Sequence, residues 1–312
     1  MIFPVALHNN DKVTPFLSKM TVEPFIPFCI NVGGRLVEFS RPAVMGILNV
    51  TSDSFYDGGR HLSEPDMVEH ARWLLEQGAD ILDVGVVSSR PGAQLPPPDI
   101  EAHRLASAVA RLRKELPNAI ISVDTCFALP ARKAIESGAN MVNDIGGGLL
   151  DPDMFATVSL LQVPYILMHN RGIPTIMQQL TDYDDVVDDL VHFFSRRLDQ
   201  LYRLGVKDVW IDPGFGFAKT LEQNHLLLHR LDELTTLFRE PLLAALSRKS
   251  MIYKPLGISP DEALPGTVAL DTMALERGAR ILRVHDPREA RQTIDLIFGS
   301  HINPKSQKSH AQ

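Results

Sequence analysis

Cysteine is nearly absent. Cys29 and Cys126 are the two in 312 residues, far apart and without a CxxC or Cys/His cluster, so neither a disulfide framework nor a zinc site is indicated. No apolar run approaches the roughly 20 residues a membrane-spanning helix requires. The apolar stretch Met1 to Leu7 has no basic flank and soon meets Asn9, Asn10, Asp11 and Lys12, which argues against a signal peptide. Positive charge is not in excess either: the net charge is −7 and the pI about 5.9, so no general field exists to collect nucleic acid or an anionic membrane. An anionic ligand would need a local basic cluster. The expectation is a cytoplasmic protein with no nucleic-acid or membrane partner.

What is present is an ordinary globular composition, 45% apolar and 22% charged, in a chain long enough for a large core. Residues 1–26 carry prolines and short polar breaks without sustained periodicity and read as an extension. The polar tail 303–312 reads as frayed, leaving 27–302 as one domain. Phe28 to Val32 and Leu36 to Phe39 flank Gly33-Gly34, which predicts a β-hairpin ahead of the main unit.

From Ala43 onward short apolar runs alternate with longer amphipathic segments. Strands are predicted at Ala43 to Asn49, Ile81 to Gly85, Ile120 to Asp124, Met141 to Asp144, Tyr165 to His169, Val209 to Asp212, Leu242 to Leu246 and Ile281 to Val284. Continuous apolar strands separated by helices are what a parallel sheet buried on both faces requires. Eight of them with right-handed crossovers predict a (β/α)8 TIM barrel, of the α/β class, behind its N-terminal hairpin and extension. Within Met67 to Gln77, Val68, Ala71, Leu74 and Leu75 fall at helical spacing, and Gly78 ends the helix as Gly138, Gly205 and Gly278 do elsewhere.

In such a barrel the reactive groups lie at the strand C-termini, where the loops converge. The polar strand ends Asn49, Asp83, Asp124, Asn143-Asp144, His169, Asp212 and Arg283 to His285 are therefore expected to look into one pocket. Singly, each is more often a turn former or helix cap. Their joint occurrence is what indicates a site.

The motifs at these strand ends resemble those of the dihydropteroate synthase family, from Val44 to Asp286. MGILNVTSDSFYDGG at Met45 to Gly59 looks like its first strand and loop, and SRPGA, SVDT, NDI, MHNRG, DPGFGFAKT, SRKS and RVHD follow in family order. The resemblance implies condensation of a dihydropterin diphosphate with p-aminobenzoate in folate biosynthesis. It also implies Mg2+ as cofactor and a homodimer. Asp212 is implied to take the amidine-like edge of the pterin, where two adjacent N–H donors meet a carboxylate. Asp124 and Asn143 complete the polar lining, Lys249 serves the opposite carbonyl and ring nitrogen, and Met168 and Phe217 supply apolar faces.

For the departing diphosphate the family pattern implies Arg90, Arg283 and His285, with Asn49 as the protein ligand of Mg2+. Asp124, Lys249, Arg283 and His285 are the implied catalytic set. Phe55 and Asp57 in the first loop, Ser89, Arg90 and Pro91 in the second, and Ser250 beside Lys249 are implied to shape the p-aminobenzoate site. The second loop departs from the usual pattern: Gly85-Val86-Val87-Ser88-Ser89-Arg90-Pro91 stands where Gly-Gly-Glu-Ser-Thr-Arg-Pro is common. Ala218 likewise replaces a frequent Gly. Two rival readings are a pterin-binding methyltransferase domain on the same barrel and a catalytically weak relative that retains pterin binding. SRKS, RVHD and the SFYDGG loop favour the synthase.

Overall fold

A computed structural model describes residues 25–50, 64–87, 95–173 and 175–299. Two strands, β1 (Phe28–Val32) and β2 (Arg35–Phe39), form the antiparallel hairpin, with Phe28 opposite Phe39 and Val32 opposite Arg35. Gly33 and Gly34 turn it at φ +57° and +84°, the left-handed pair that a tight hairpin turn needs and that side chains resist.

Eight parallel strands follow: β3 (Ala43–Asn49), β4 (Ile81–Gly85), β5 (Ile120–Asp124), β6 (Met141–Asp144), β7 (Tyr165–Met168), β8 (Val209–Asp212), β9 (Leu243–Ala244) and β10 (Ile281–Val284). Their spatial order is β8-β7-β6-β5-β4-β3-β10-β9, and a parallel bridge from Ile211 to Leu242 joins the two ends, closing the barrel. The strands match the sequence expectation except that β7 stops at Met168 and β9 is shorter than the apolar run that contains it. Helices cover the outside: α1 (Glu64–Glu76), α2 (Pro98–Glu115), α3 (Ala128–Glu136), α4 (Met154–Leu161), α5 (Val186–Arg203), α6 (Leu221–His229), α7 (Leu231–Leu237), α8 (Ser250–Leu256), α9 (Leu264–Glu276) and α10 (Pro287–Phe298).

The strand period of two sorts the side chains. Val44, Leu48, Leu82, Val84, Ile121, Val123, Val142, Leu167, Ile211, Leu282 and Val284 pack outward into one core shared with the helices. Their alternate neighbours Met45, Ile81, Ile120, Met141, Ile166, Trp210, Leu243 and Ile281 point inward. There they pack with Phe28, Ile30, Val32 and Phe39 of the hairpin. Phe28 and Phe39 stack at 5.0 Å and meet the Trp210 ring edge-on at 5.8 and 6.3 Å, so the hairpin plugs the N-terminal end of the barrel. The opposite end remains for polar groups. No helix among the described residues is long and apolar enough to cross a membrane.

Candidate active site

Two residues beyond the apolar plug the same inward rows turn polar. Asp83 follows Ile81, Ser122 follows Ile120, Asn143 follows Met141, Asp212 follows Trp210 and Arg283 follows Ile281. One step further stand Asn49, Gly85, Asp124 and His285. Register brings them together: Asn49 pairs with Gly85, Gly85 with Asp124, and Asp124 with Asn143. Because Gly85 has no side chain, Asn49 and Asp124 approach each other across it; a Cβ there would lie 3.5 Å from Asn49 Oδ1 and 3.6 Å from Asp124 Cβ.

Arg283 is the hub of this layer. Its Nε donates to Asp83 Oδ2 at 2.6 Å and its Nη2 to Asp124 Oδ2 at 2.8 Å, while Asn143 Nδ2 donates to the same Asp83 oxygen at 2.9 Å. Burial opposes the guanidinium charge, but Asp83 and Asp124 outweigh it and hold its pKa above the ordinary value. For Asp124 burial dominates: its carboxyl is pushed up to about 7, with Arg283 opposing and Asp83 reinforcing the rise. Asp83 Oδ1, Ser122 Oγ and Asn143 Oδ1 are buried without a hydrogen-bond partner. Unpartnered buried polar atoms are costly, and a flat heterocycle with N–H donors is one ligand that would satisfy the Asn143 oxygen.

Across the barrel, Asp212 is buried at the end of β8, where Gly214 N–H binds its Oδ1 at 2.7 Å. Burial raises its pKa and the Lys249 charge opposes the rise. Lys249 donates to the Phe215 carbonyl and stands 4.9 Å from the centroid of the Phe217 ring, a cation–π contact. Burial pulls its pKa down to about 8 against the attraction of Asp212. Asp212, Arg283 and Asp124 all lie near enough to act on the Lys249 charge, and the three stand at the C-terminal ends of β8, β10 and β5.

The apolar wall is Met168, buried with Cys126 and Ile145, and the half-buried Phe217 packs against them. His285 is held by Ser247, whose Oγ accepts the His285 backbone N–H at 3.2 Å and lies 3.0 Å from Nδ1. Arg248 turns away from the cavity and grips Asp286 through two bonds of 3.0 and 2.8 Å. That contact, with Arg248 N–H on Thr267 Oγ1 at 3.0 Å, fixes the Ser-Arg-Lys-Ser turn. Ser250 opens α8 next to Lys249.

Two strand-end residues do not belong to this cavity. Asp144 and His169 are one position out of phase with Asn143 and Met168, so they face the helices. Asp144 instead takes the Tyr165 hydroxyl at 2.5 Å and the N–H groups of Gly146 and Gly148 at 2.7 Å each. His169 is bonded to Lys219 and Asp189. The expectation of one pocket lined by every polar strand end is corrected by parity. Val86 also points outward, into the core beneath the helices. Ala218 sits at φ +48°, the left-handed region in which its glycine counterpart would be unstrained. Phe55, Asp57, Ser89, Arg90 and Pro91 lie outside the described residues. The sequence places Asp83 at the pocket but does not name it as the anchor of Arg283, and it points to no role for Ser247 or Lys219; for Asp83, the parity it shares with Gly85 is the available signal.

The residues 45–285 match the family model described as pterin binding enzyme. A Synechocystis dihydropteroate synthase is 44% identical over 266 residues, covering 84% of this chain and 91% of the relative. Among solved structures, a Yersinia pestis dihydropteroate synthase in a sulfonamide drug complex superposes with a TM-score of 0.82 at 36% identity, over 88% of this chain and 99% of that one. A Xanthomonas albilineans dihydropteroate synthase with 4-aminobenzoic acid gives 0.80 at 37% identity, with coverage of 88% and 99%.

Proposed function

Since the chain belongs to the dihydropteroate synthase family of pterin-binding enzymes, we propose that it joins 6-hydroxymethyl-7,8-dihydropterin diphosphate to p-aminobenzoate, giving 7,8-dihydropteroate and diphosphate. The observation that carries this reading is that the inward rows of β5, β6, β8 and β10 bear Asp124, Asn143, Asp212 and Arg283 at their C-terminal ends, with Arg283 bonded to Asp124 and Lys249 over the Phe217 ring. Asp212 accepts paired N–H donors from the pterin edge, and Lys249 donates to its carbonyl side. Met168 and Phe217 flank the ring.

In the reaction the C–O bond between the pterin methylene and the diphosphate breaks, and the oxygen keeps the electron pair. Positive charge then develops on the pterin beside Asp124, whose ionised form stabilises it, while Arg283 and His285 receive the departing anion. The nitrogen lone pair of the aryl amine forms the new C–N bond, and its surplus proton passes to solvent. An aryl amine is neutral at physiological pH, so no strong protein base is required.

Magnesium is part of the same proposal. The Asn49 carboxamide oxygen faces the cavity beside Gly85 and Asp124, and among the described residues no cluster of three His, Cys, Asp or Glu could enclose a metal. A single neutral donor fits an ion that takes most of its ligands from phosphate oxygens and water. Bound there, it would supply charge that stabilises the leaving diphosphate. Arg90, Phe55, Asp57, Ser89, Pro91 and Ser250 are proposed for the diphosphate and amine on the family pattern, as are a cytoplasmic location and a homodimer.

The test is release of diphosphate from the dihydropterin diphosphate with Mg2+, with and without p-aminobenzoate. Amine-dependent release with formation of dihydropteroate is expected. Tight pterin binding without product under saturating amine, or methyl transfer that depends on a corrinoid, would overturn the reading.

A further inference from the structure

Lys219 closes the segment Asp-Pro-Gly-Phe-Gly-Phe-Ala-Lys that runs from the end of β8, yet it does not point into the cavity. It is 3% exposed, and its Nζ lies 2.9 Å from His169 Nδ1, 3.1 Å from the Gly214 carbonyl and 3.1 Å from the Phe217 carbonyl. Both carbonyls belong to the loop that Lys219 itself ends, so the side chain folds back and ties that loop from behind. His169 is equally buried and reaches Asp189 of α5 through Nε2 at 3.1 Å; Arg171 binds the other oxygen of that carboxylate. The chain of contacts therefore runs from the loop, through the end of β7, to a surface helix.

Donor counting fixes the protons along it. The carboxylate of Asp189 only accepts, so His169 carries its proton on Nε2 and presents a lone pair at Nδ1. Two carbonyls and that lone pair are three acceptors around Nζ. Three N–H donors are what an ammonium supplies and a neutral amine does not. Burial pulls the Lys219 pKa down to about 7, Asp212 and Asp189 oppose this, and Lys249 and Arg171 add to it.

On its cavity side the same loop carries what the pterin would touch. The Phe215 carbonyl accepts from Lys249, the Phe217 ring stands beneath the Lys249 ammonium, and Gly214 N–H holds Asp212. Gly214 sits at φ +68° with its α-carbon against β7: a Cβ would lie 2.1 Å from the His169 carbonyl oxygen. The loop is thus clamped between a buried cation behind and a functional cation in front. We propose that Lys219, braced by His169 and Asp189, is a positioning residue for the pterin site, setting the height of Phe217 and Lys249 without touching substrate. This rests on the assignment of the cavity to a pterin.

Lys219→Met keeps the length of the side chain and removes its donors. The expected result is a KM for the dihydropterin diphosphate raised at least about tenfold, a p-aminobenzoate KM within about twofold of wild type, and faster amide exchange at Gly214 to Phe217. His169→Asn retains an acceptor for Lys219 and should restore pterin KM to within about threefold of wild type. His169→Leu should behave like Lys219→Met, and the Lys219→Met/His169→Leu pair should be no worse than either alone. A lowered Tm with both KM values unchanged would overturn the proposal, as would equal loss for both substrates. Unchanged amide exchange at Gly214 to Phe217 would overturn it even if the wild type proved inactive, so failure of the catalytic reading is seen separately in the wild-type turnover control.

Discussion

The two halves of the barrel interior are built from the same strands and do opposite things. Near the hairpin, Met45, Ile81, Ile120, Ile166, Trp210 and Ile281 are buried together in one apolar cluster, with the Trp210 indole N–H the single polar group among their side chains. Two residues along, Asp83, Asn143 and Asp212 are also buried, Arg283 and Asn143 both bond to Asp83, and three polar atoms in that layer are left without partners. One layer stabilises the fold by removing apolar surface from water. The other holds buried charge in place for a ligand, at a cost to stability that the first layer offsets.

Replacing Arg283 by Ala should break the polar layer most severely. It strands the Asp83 and Asp124 carboxylates without a counter-charge and removes the cation proposed to receive the diphosphate. Turnover should fall by about 10²–10³-fold, with a stability loss of about 3–5 kcal/mol. Steady-state kinetics and denaturant unfolding check the two separately, and near-normal turnover would remove Arg283 from the chemistry.

The matching change in the apolar layer is Phe28→Ala, which opens the contact with Phe39 and Trp210. A loss of about 3 kcal/mol is expected, with kcat/KM unchanged in the protein that remains folded. A large fall in kcat/KM at temperatures well below the unfolding transition would show that the two layers are not separable.

The smallest effect concerns pH. The proposed reaction calls for Asp124 ionised and Lys249 protonated; burial holds Asp124 up to about 7 and Lys249 down to about 8. As pH falls below the first value Asp124 gains its proton, and as it rises above the second Lys249 loses one. The profile of kcat/KM for the pterin substrate should therefore be a narrow bell, falling roughly tenfold per pH unit on each side. Lys249→Arg, which stays charged, should move the alkaline limb upward. A flat profile from about pH 6 to 9 would count against both assignments.

Much of this was legible from residue order. The strand runs were readable because a parallel strand buried on both faces is continuously apolar, and their polar ends marked the mouth. Which polar ends share the cavity was decided by one-residue parity at each strand end. Asp144 and His169 sit where the chain leaves the sheet, so their neighbours alone do not reveal the face they take. Asp83 was readable as a strand end but not as the anchor of Arg283, because its partners are 60 and 200 residues away.

The sequence by itself determined the eightfold alternation, the family motifs and the chemical types available at the mouth. These are local properties of backbone period and side-chain chemistry. Closure of the barrel determined the rest: the Arg283 hub between Asp83 and Asp124, the rear bracing of the Asp212 loop by Lys219, and the pKa shifts that burial imposes. Those depend on distances between strands remote in the chain, and on exclusion of water, which exist only once the cylinder has formed.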